Sequence, residues 1–322
     1  MPPVTYADIE AAAGRLYGNA VRTPLLESPA LDDLLAGRVL LKPETLQFGG
    51  SFKFRGAYNR ISQLTAEEKK RGVVAFSSGN HAQGVALAAR IMRTPALIVM
   101  PSDAPRLKIE ATRAYGAEVR LYDRYTEDRE AIARAIAAER GSVVVPSYDD
   151  VHIIAGQGTV GLELAEQGDD LDVVLCPVGG GGLIAGLSTA VLHEYPNAAI
   201  YGVEPAAFDD TRRSLESGRR EHIDPAARSI CDALQSPSPG EITFEINRRN
   251  LAGVLTVTDA EVAQAMRYAF ATLKLVVEPG GAVALAAALA EKLDLAGRTT
   301  AIVLSGGNVD PELYASILSG AP

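Results

Sequence analysis

Lys53 lies between two phenylalanines in Gly49-Gly50-Ser51-Phe52-Lys53-Phe54-Arg55-Gly56-Ala57, a stretch with glycine on both sides and neither strand nor helix periodicity. A lysine held among apolar neighbours loses hydration of its ammonium, so its pKa falls and the neutral amine that Schiff-base chemistry needs becomes available. The same residues also describe an amphipathic loop lysine with its head in water. Ser77-Ser78-Gly79-Asn80-His81-Ala82-Gln83-Gly84 follows a β-branched run and opens an Ala-rich one. Its hydroxyls and amides would gather at the C-terminal edge of a strand, where α/β sheets bind ligands and a following helix favours anions. A polar turn with Ser or Asn as N-cap explains that spacing equally well, and His81 alone is as much a turn residue as an acid or base.

Val178-Gly179-Gly180-Gly181-Gly182-Leu183 comes after an apolar run and before a helical one, so successive amides could approach a phosphate without Cβ obstruction. The segment lacks the Gly-Lys-Ser/Thr ending of a P-loop, which argues against nucleoside triphosphate hydrolysis. Gly180, Gly182 and Ala185 do fit the looser dinucleotide fingerprint, with Glu204 ending a later strand, so an NAD-dependent oxidoreductase stays open. Ser305-Gly306-Gly307-Asn308 follows the last apolar run, where the hydroxyl could meet a ring nitrogen or simply belong to a glycine turn. Glu278-Pro279-Gly280-Gly281 shapes a loop before an Ala-rich helix, and a purely structural role accounts for it.

These segments need a scaffold, and the chain supplies one. With 322 residues, 47% of them apolar and 22% charged, it is globular and long enough for roughly two domains. Short β-branched runs alternate with Ala/Leu/Glu-rich segments, the α/β pattern of parallel strands joined by crossover helices. Strands are predicted at 73–76, 96–100, 118–122, 142–145, 172–176, 199–203, 254–257 and 299–304. Thr5 and Thr65 open capping boxes, and Thr126-Glu127-Asp128 is expected to put carboxylates in a helical first turn. A domain change is placed near Val145-Pro146, giving a large domain of 1–70 and 150–322 and a small one of 71–149.

The net charge of −9 without a Lys/Arg run offers no footprint for nucleic acid. No apolar stretch reaches membrane-spanning length and the start has no signal-peptide pattern, so a cytoplasmic protein is expected. Cys176 and Cys231 read as reduced thiols, with no CxxC spacing for zinc.

Taken together and in order, Gly-Ser-Phe-Lys-x-Arg-Gly-Ala, Ser-Ser-Gly-Asn-His, Gly-Gly-Gly-Gly-Leu and Ser-Gly-Gly-Asn resemble the serine/threonine dehydratase and serine racemase family, from Thr23-Pro24-Leu25 to Asn308. The resemblance implies the tryptophan-synthase-β-like α/β fold, type II of the pyridoxal 5′-phosphate enzymes, with two open twisted mostly parallel sheets, and a homodimer. It implies Lys53 as the lysine that bonds to the cofactor and moves the Cα proton, Phe52 and Asn80 as neighbours of the ring, Gly179, Gly180, Gly181 and Gly182 as the phosphate cradle, and Ser305 at the pyridine nitrogen. Ser77, Ser78, Asn80 and His81 match the loop that holds the substrate carboxylate, with Ser78 a candidate acid/base on the face opposite Lys53. Glu204, Phe208 and Asp210 match a divalent-cation loop; their oxygens would suit Mg²⁺ or Ca²⁺, though a solvated acidic helix start reads the same way.

The implied activity is elimination of water from a small hydroxy-amino acid (serine, threonine or 3-hydroxyaspartate), giving a 2-keto acid and ammonia, with racemisation as the alternative. Cys231-Asp232-Ala233 stands where the family form carries Ala-Asp-Gly, so threonine is not assumed as substrate. With the sequence ending soon after Asn308, an appended regulatory domain is not expected.

Overall fold

The computed structural model describes residues 3–77, 79–104 and 106–320. Its strands are β1 (Leu26–Glu27), β2 (Arg38–Pro43), β3 (Val73–Phe76), β4 (Ala96–Pro101), β5 (Glu118–Tyr122), β6 (Val143–Val144), β7 (Val173–Pro177), β8 (Ala199–Pro205), β9 (Gly253–Val257) and β10 (Thr299–Leu304). They form a six-stranded sheet in the order β1-β2-β10-β7-β8-β9 and a four-stranded sheet in the order β5-β4-β3-β6. Every pair is parallel except β1 with β2. Helices cover both faces, which is why β7 and β10 read as almost unbroken apolar runs.

The eight expected strands are all present, with ends shifted by at most two residues. β2 is an addition. Its sequence, Arg-Val-Leu-Leu-Lys-Pro, carries a charge inside the run and a proline at its end, yet the strand lies between β1 and β10 with Lys42 fully covered. Thr5 and Thr65 do form capping boxes. Asp128 instead stands before its helix, Arg129–Arg140, as the N-cap that accepts from the amides of Glu130 and Ala131. A capping carboxylate outside the helix satisfies amides that a first-turn carboxylate would leave free.

Lys42 is held by a buried set of charges. The Arg55 guanidinium donates to Glu44 at 2.7 and 2.8 Å and to Glu163 at 2.6 and 2.9 Å. The Lys42 ammonium donates to Glu163 and to the Thr23 carbonyl, both at 2.8 Å, and to Gln167 at 2.7 Å. Two cations therefore face two carboxylates, and these residues join β2, the Lys53–Ser62 helix and the Val151–Gln167 helix.

Removing one partner of such a set leaves an uncompensated buried charge. Glu44→Gln is expected to lower stability by about 3–5 kcal/mol in urea unfolding, whereas Arg38→Ala, which breaks only exposed ion pairs to Glu27 and Asp169, should cost less than about 1 kcal/mol. Equal shifts for the two variants would refute the assignment.

Candidate active site

A cavity of about 660 Å³ opens where β3, β7 and β10 end, and Lys53, Asn80, Gly179–Gly182 and Ser305 all line it. Lys53 is the first residue of the Lys53–Ser62 helix, although its segment carries no helical periodicity. The preceding turn is tied to the far end of the chain. Phe52 N–H donates to the Ser305 carbonyl at 3.2 Å, Gly307 N–H to the Gly50 carbonyl at 2.9 Å, and the Asn308 amide to the Gly49 carbonyl at 2.7 Å. Gly50 is required there: its φ is +71° and a Cβ would lie 2.4 Å from Asn308 Oδ1.

Lys53 is half-buried, and its head is held against the cavity wall. Its Nζ donates to the Ser147 carbonyl at 2.7 Å and sits 5.2 Å from the centre of the Phe52 ring. Burial pushes its pKa down to about 8, only partly countered by the charge of Glu278.

Asn80 is buried and held on both sides, accepting from the Asn308 amide at 2.8 Å and donating to Glu278 Oε1. Glu278 is itself buried, and its Oε2 has no partner among the described residues. Burial and then the charge of Asp232 raise its pKa to about 7, against the pull of Lys108, Asn80 and Lys53.

His81 Nε2 donates to the Val145 carbonyl at 2.9 Å, while burial and the nearby Lys53 charge push the ring's pKa down to about 3. His81 is thus a neutral ring fixed to the backbone, not a base poised near neutral pH. Ser77 lines the cavity, and its hydroxyl accepts from Gly79 N–H at 3.2 Å. Ser78 lies outside the described residues. Gly79 is the N-cap of the Asn80–Ile91 helix, so neither Ser nor Asn caps it.

Gly179–Gly182 run from β7 into the Gly182–Glu194 helix, and among the described residues none of their four amides donates to a protein acceptor. These N–H groups could hold an anion at a helix N-terminus. A Cβ on Gly180 would lie 2.4 Å from the Tyr148 ring, and one on Gly182 would lie 3.0 Å from Tyr148 Cα and Cβ. The absence of side chains thus makes room for Tyr148 as well as for a ligand. Sequence reasoning missed Tyr148, although an aromatic in the polar run Pro146-Ser147-Tyr148-Asp149-Asp150 was a signal. It also missed Lys108 and Arg129 on the cavity wall.

Glu204 and Asp210 are buried outside the residues lining this cavity. Both Glu204 oxygens accept backbone N–H groups at the start of the Asp210–Ser217 helix, from Thr211 at 3.0 Å and Arg212 at 3.1 Å. That engagement corrects the dinucleotide alternative, which needed this carboxylate for a ribose. Asp210 Oδ2 has no partner among the described residues. Burial raises both carboxyl pKa values, and Asp210 raises that of Glu204 further. Phe208 is buried on the same turn, but the described residues contain no group of three His, Cys, Asp or Glu placed to hold a metal.

The family described as pyridoxal-phosphate dependent enzyme matches residues 17–306. An L-threo-3-hydroxyaspartate ammonia-lyase of Pseudomonas sp is 48% identical over 316 residues, covering 98% of this chain and 99% of that one. A serine racemase of Schizosaccharomyces pombe is 44% identical, covering 98% and 97%. Among solved structures, the serine racemase from Dictyostelium discoideum superposes with a TM-score of 0.90 at 37% identity, over 96% of this chain and 99% of that chain.

The buried amine gives a direct test. In cofactor-free protein, acylation of Lys53 followed by peptide mass spectrometry should rise with a midpoint near pH 8, because the ammonium is unreactive below it and the amine is free above it. A midpoint matching that of exposed lysines, about 10.4, would contradict the burial argument.

Proposed function

The chain belongs to the pyridoxal-phosphate dependent enzymes and has their type II fold, and from that premise we propose that it is a dehydratase removing water from a small hydroxy-amino acid. The observation that carries this reading is a half-buried amine, four free glycine amides and a buried serine lining one cavity. These residues fit the cofactor: Lys53 to bond it, Gly179–Gly182 to receive its phosphate, Asn80 and Phe52 beside its ring, and Ser305 at the ring nitrogen.

When bound, the cofactor supplies a carbonyl that takes up the substrate amine and a ring that draws electrons from Cα. Lys53, shifted towards its neutral form, would take the Cα proton. Ser77, Asn80 and His81 border the space for the substrate carboxylate. Ser305 offers a neutral hydroxyl, which does not force a proton onto the ring nitrogen. That would make the ring a weaker electron sink and favour loss of the β-hydroxyl, which would leave as water with a proton equivalent to the one Lys53 takes from Cα. The enamine left behind is hydrolysed to a 2-keto acid and ammonia.

Among serine, threonine and 3-hydroxyaspartate we place 3-hydroxyaspartate first. Arg129 lines the cavity over the Phe76 ring and forms no ion pair among the described residues, so a second substrate carboxylate has a cation within its space. The relative at 48% identity carries that substrate in its name. Racemisation is the second reading, supported by the serine racemase at 44% identity; it needs a group facing Lys53 across the ring, for which Ser78 is the candidate.

Other parts of the reading are coarser. The two separate sheets support a large unit of 1–70 and 150–322 and a small one of 71–149. Exposed Leu46, Phe48 and Val276 support a homodimer in which a second copy covers them. Free, buried Cys176 and Cys231 fit the reducing cytoplasm, and no helix among the described residues is long and apolar enough to cross a membrane. The buried Asp210 Oδ2 without a partner among the described residues supports Mg²⁺ or Ca²⁺ between Asp210 and Glu204, completed by the Phe208 carbonyl and water.

The purified protein should be yellow, borohydride should fix the cofactor to the Lys53 peptide, and keto acid should form from L-threo-3-hydroxyaspartate faster than from L-serine or L-threonine. Chiral analysis of the same mixtures reads racemisation. A protein that stays colourless with added cofactor sinks the proposal. EDTA should lower the melting temperature, with Ca²⁺ or Mg²⁺ restoring it, and the sedimentation mass should be twice that of the chain; a chelator-indifferent monomer would remove both the cation and the dimer.

A further inference from the structure

The glycine cradle does not orient its own peptides. The Gly180 carbonyl accepts the Thr243 hydroxyl at 2.7 Å and Gly240 N–H at 3.3 Å. The Gly181 carbonyl accepts Ala185 N–H at 3.0 Å and the Asn247 side chain at 3.5 Å. In a planar trans peptide the C=O and N–H point in opposite directions. A Gly180 carbonyl pinned towards the Glu241–Asn250 helix therefore turns Gly181 N–H the other way.

The helix behind the cradle is built for close contact. Thr243 and Asn247 are polar yet fully covered, and they stand four residues apart on one helix face. Gly181 has φ +88°, and a Cβ there would lie 2.7 Å from Asn247 Nδ2 and 3.1 Å from Thr243 Cβ. The helix start is not capped by its own N-cap residue, Gly240. Asp149 reaches in instead, accepting from the amides of Glu241 and Ile242 at 2.9 Å and of Thr243 at 3.2 Å. The residue before it, Tyr148, packs on Gly180 and Gly182, so one turn of chain fixes both the cradle and the helix behind it.

We propose that Thr243 is a positioning residue for cofactor binding: its buried hydroxyl holds the Gly180–Gly181 peptide with the N–H turned towards the phosphate of pyridoxal phosphate. Asp149 acts one step further back, by fixing the turn that carries Thr243. The inference rests on the cofactor reading above. It assigns the phosphate's grip to a side chain that does not line the cavity.

Full-length protein freed of cofactor, as wild type, Thr243→Val and Thr243→Ser, is titrated with pyridoxal phosphate and, separately, with pyridoxal, which lacks the phosphate. Ring absorbance reports binding, and the ³¹P shift reports the phosphate's surroundings. Valine keeps the shape and removes the donor. It should weaken pyridoxal phosphate binding about tenfold or more, leave pyridoxal binding unchanged and move the ³¹P signal. Serine should restore affinity to within about threefold.

Equal pyridoxal phosphate affinity in wild type and Thr243→Val overturns the assignment, as does an equal loss for both ligands. If circular dichroism shows the valine variant unfolded, Thr243→Ala goes through the same titrations and is judged by the same outcomes. A wild type that binds neither ligand defeats the cofactor reading itself, a result distinct from failure of the Thr243 role alone.

Discussion

Arg55 carries a charge into a part of the protein that water does not reach, and the position of the reactive lysine follows from how that charge is held. A buried guanidinium is tolerated only when its donors are met, and Glu44 and Glu163 meet it in paired fashion from two directions. Glu44 follows directly on β2, Glu163 lies on the Val151–Gln167 helix, and Arg55 is two residues beyond Lys53. The planar fork resists rotation of the helix that begins at Lys53, and Lys42 balances the second carboxylate. The ionic set and the site are thus one construction.

Around the cavity, burial drives groups of opposite type towards neutrality. It lowers Lys53, raises Glu278 and keeps His81 uncharged. The shifts of Lys53 and Glu278 bring these groups closer to their titration near neutral pH, and beside them stand the amides of Gly179–Gly182 and the cations Lys108 and Arg129 on the cavity wall. The short run Ser147-Tyr148-Asp149 connects the parts: its first carbonyl accepts from the lysine, its ring packs on the glycines, and its carboxylate caps the helix behind them.

Much of this was legible from local pattern. Strands apolar on both faces announced the parallel sheets, and the polar segments at their ends marked the cavity, because a strand's C-terminal edge in an α/β fold is where side chains from distant segments meet. β2 was hidden by Lys42, whose partners Glu163 and Gln167 lie far along the chain. The segment around Lys53 shows neither strand nor helix periodicity, although a helix begins at that residue. Glu204 fitted a ribose-binding fingerprint but caps a helix. Thr243 gave no signal at all: a threonine inside a helix is unremarkable until the carbonyl it meets, that of Gly180, is known.

The contact between Tyr148 and Gly180 joins two positions into one unit of heredity. Any side chain at position 180 meets the ring of residue 148 at 2.4 Å, so a step away from glycine is passable only after, or together with, a smaller residue at 148. In the evolution of related sequences the two sites would be expected to change as a pair. A library that randomised the cradle alone would recover mostly glycine at 180, for a reason owed to the neighbouring aromatic as well as to the ligand.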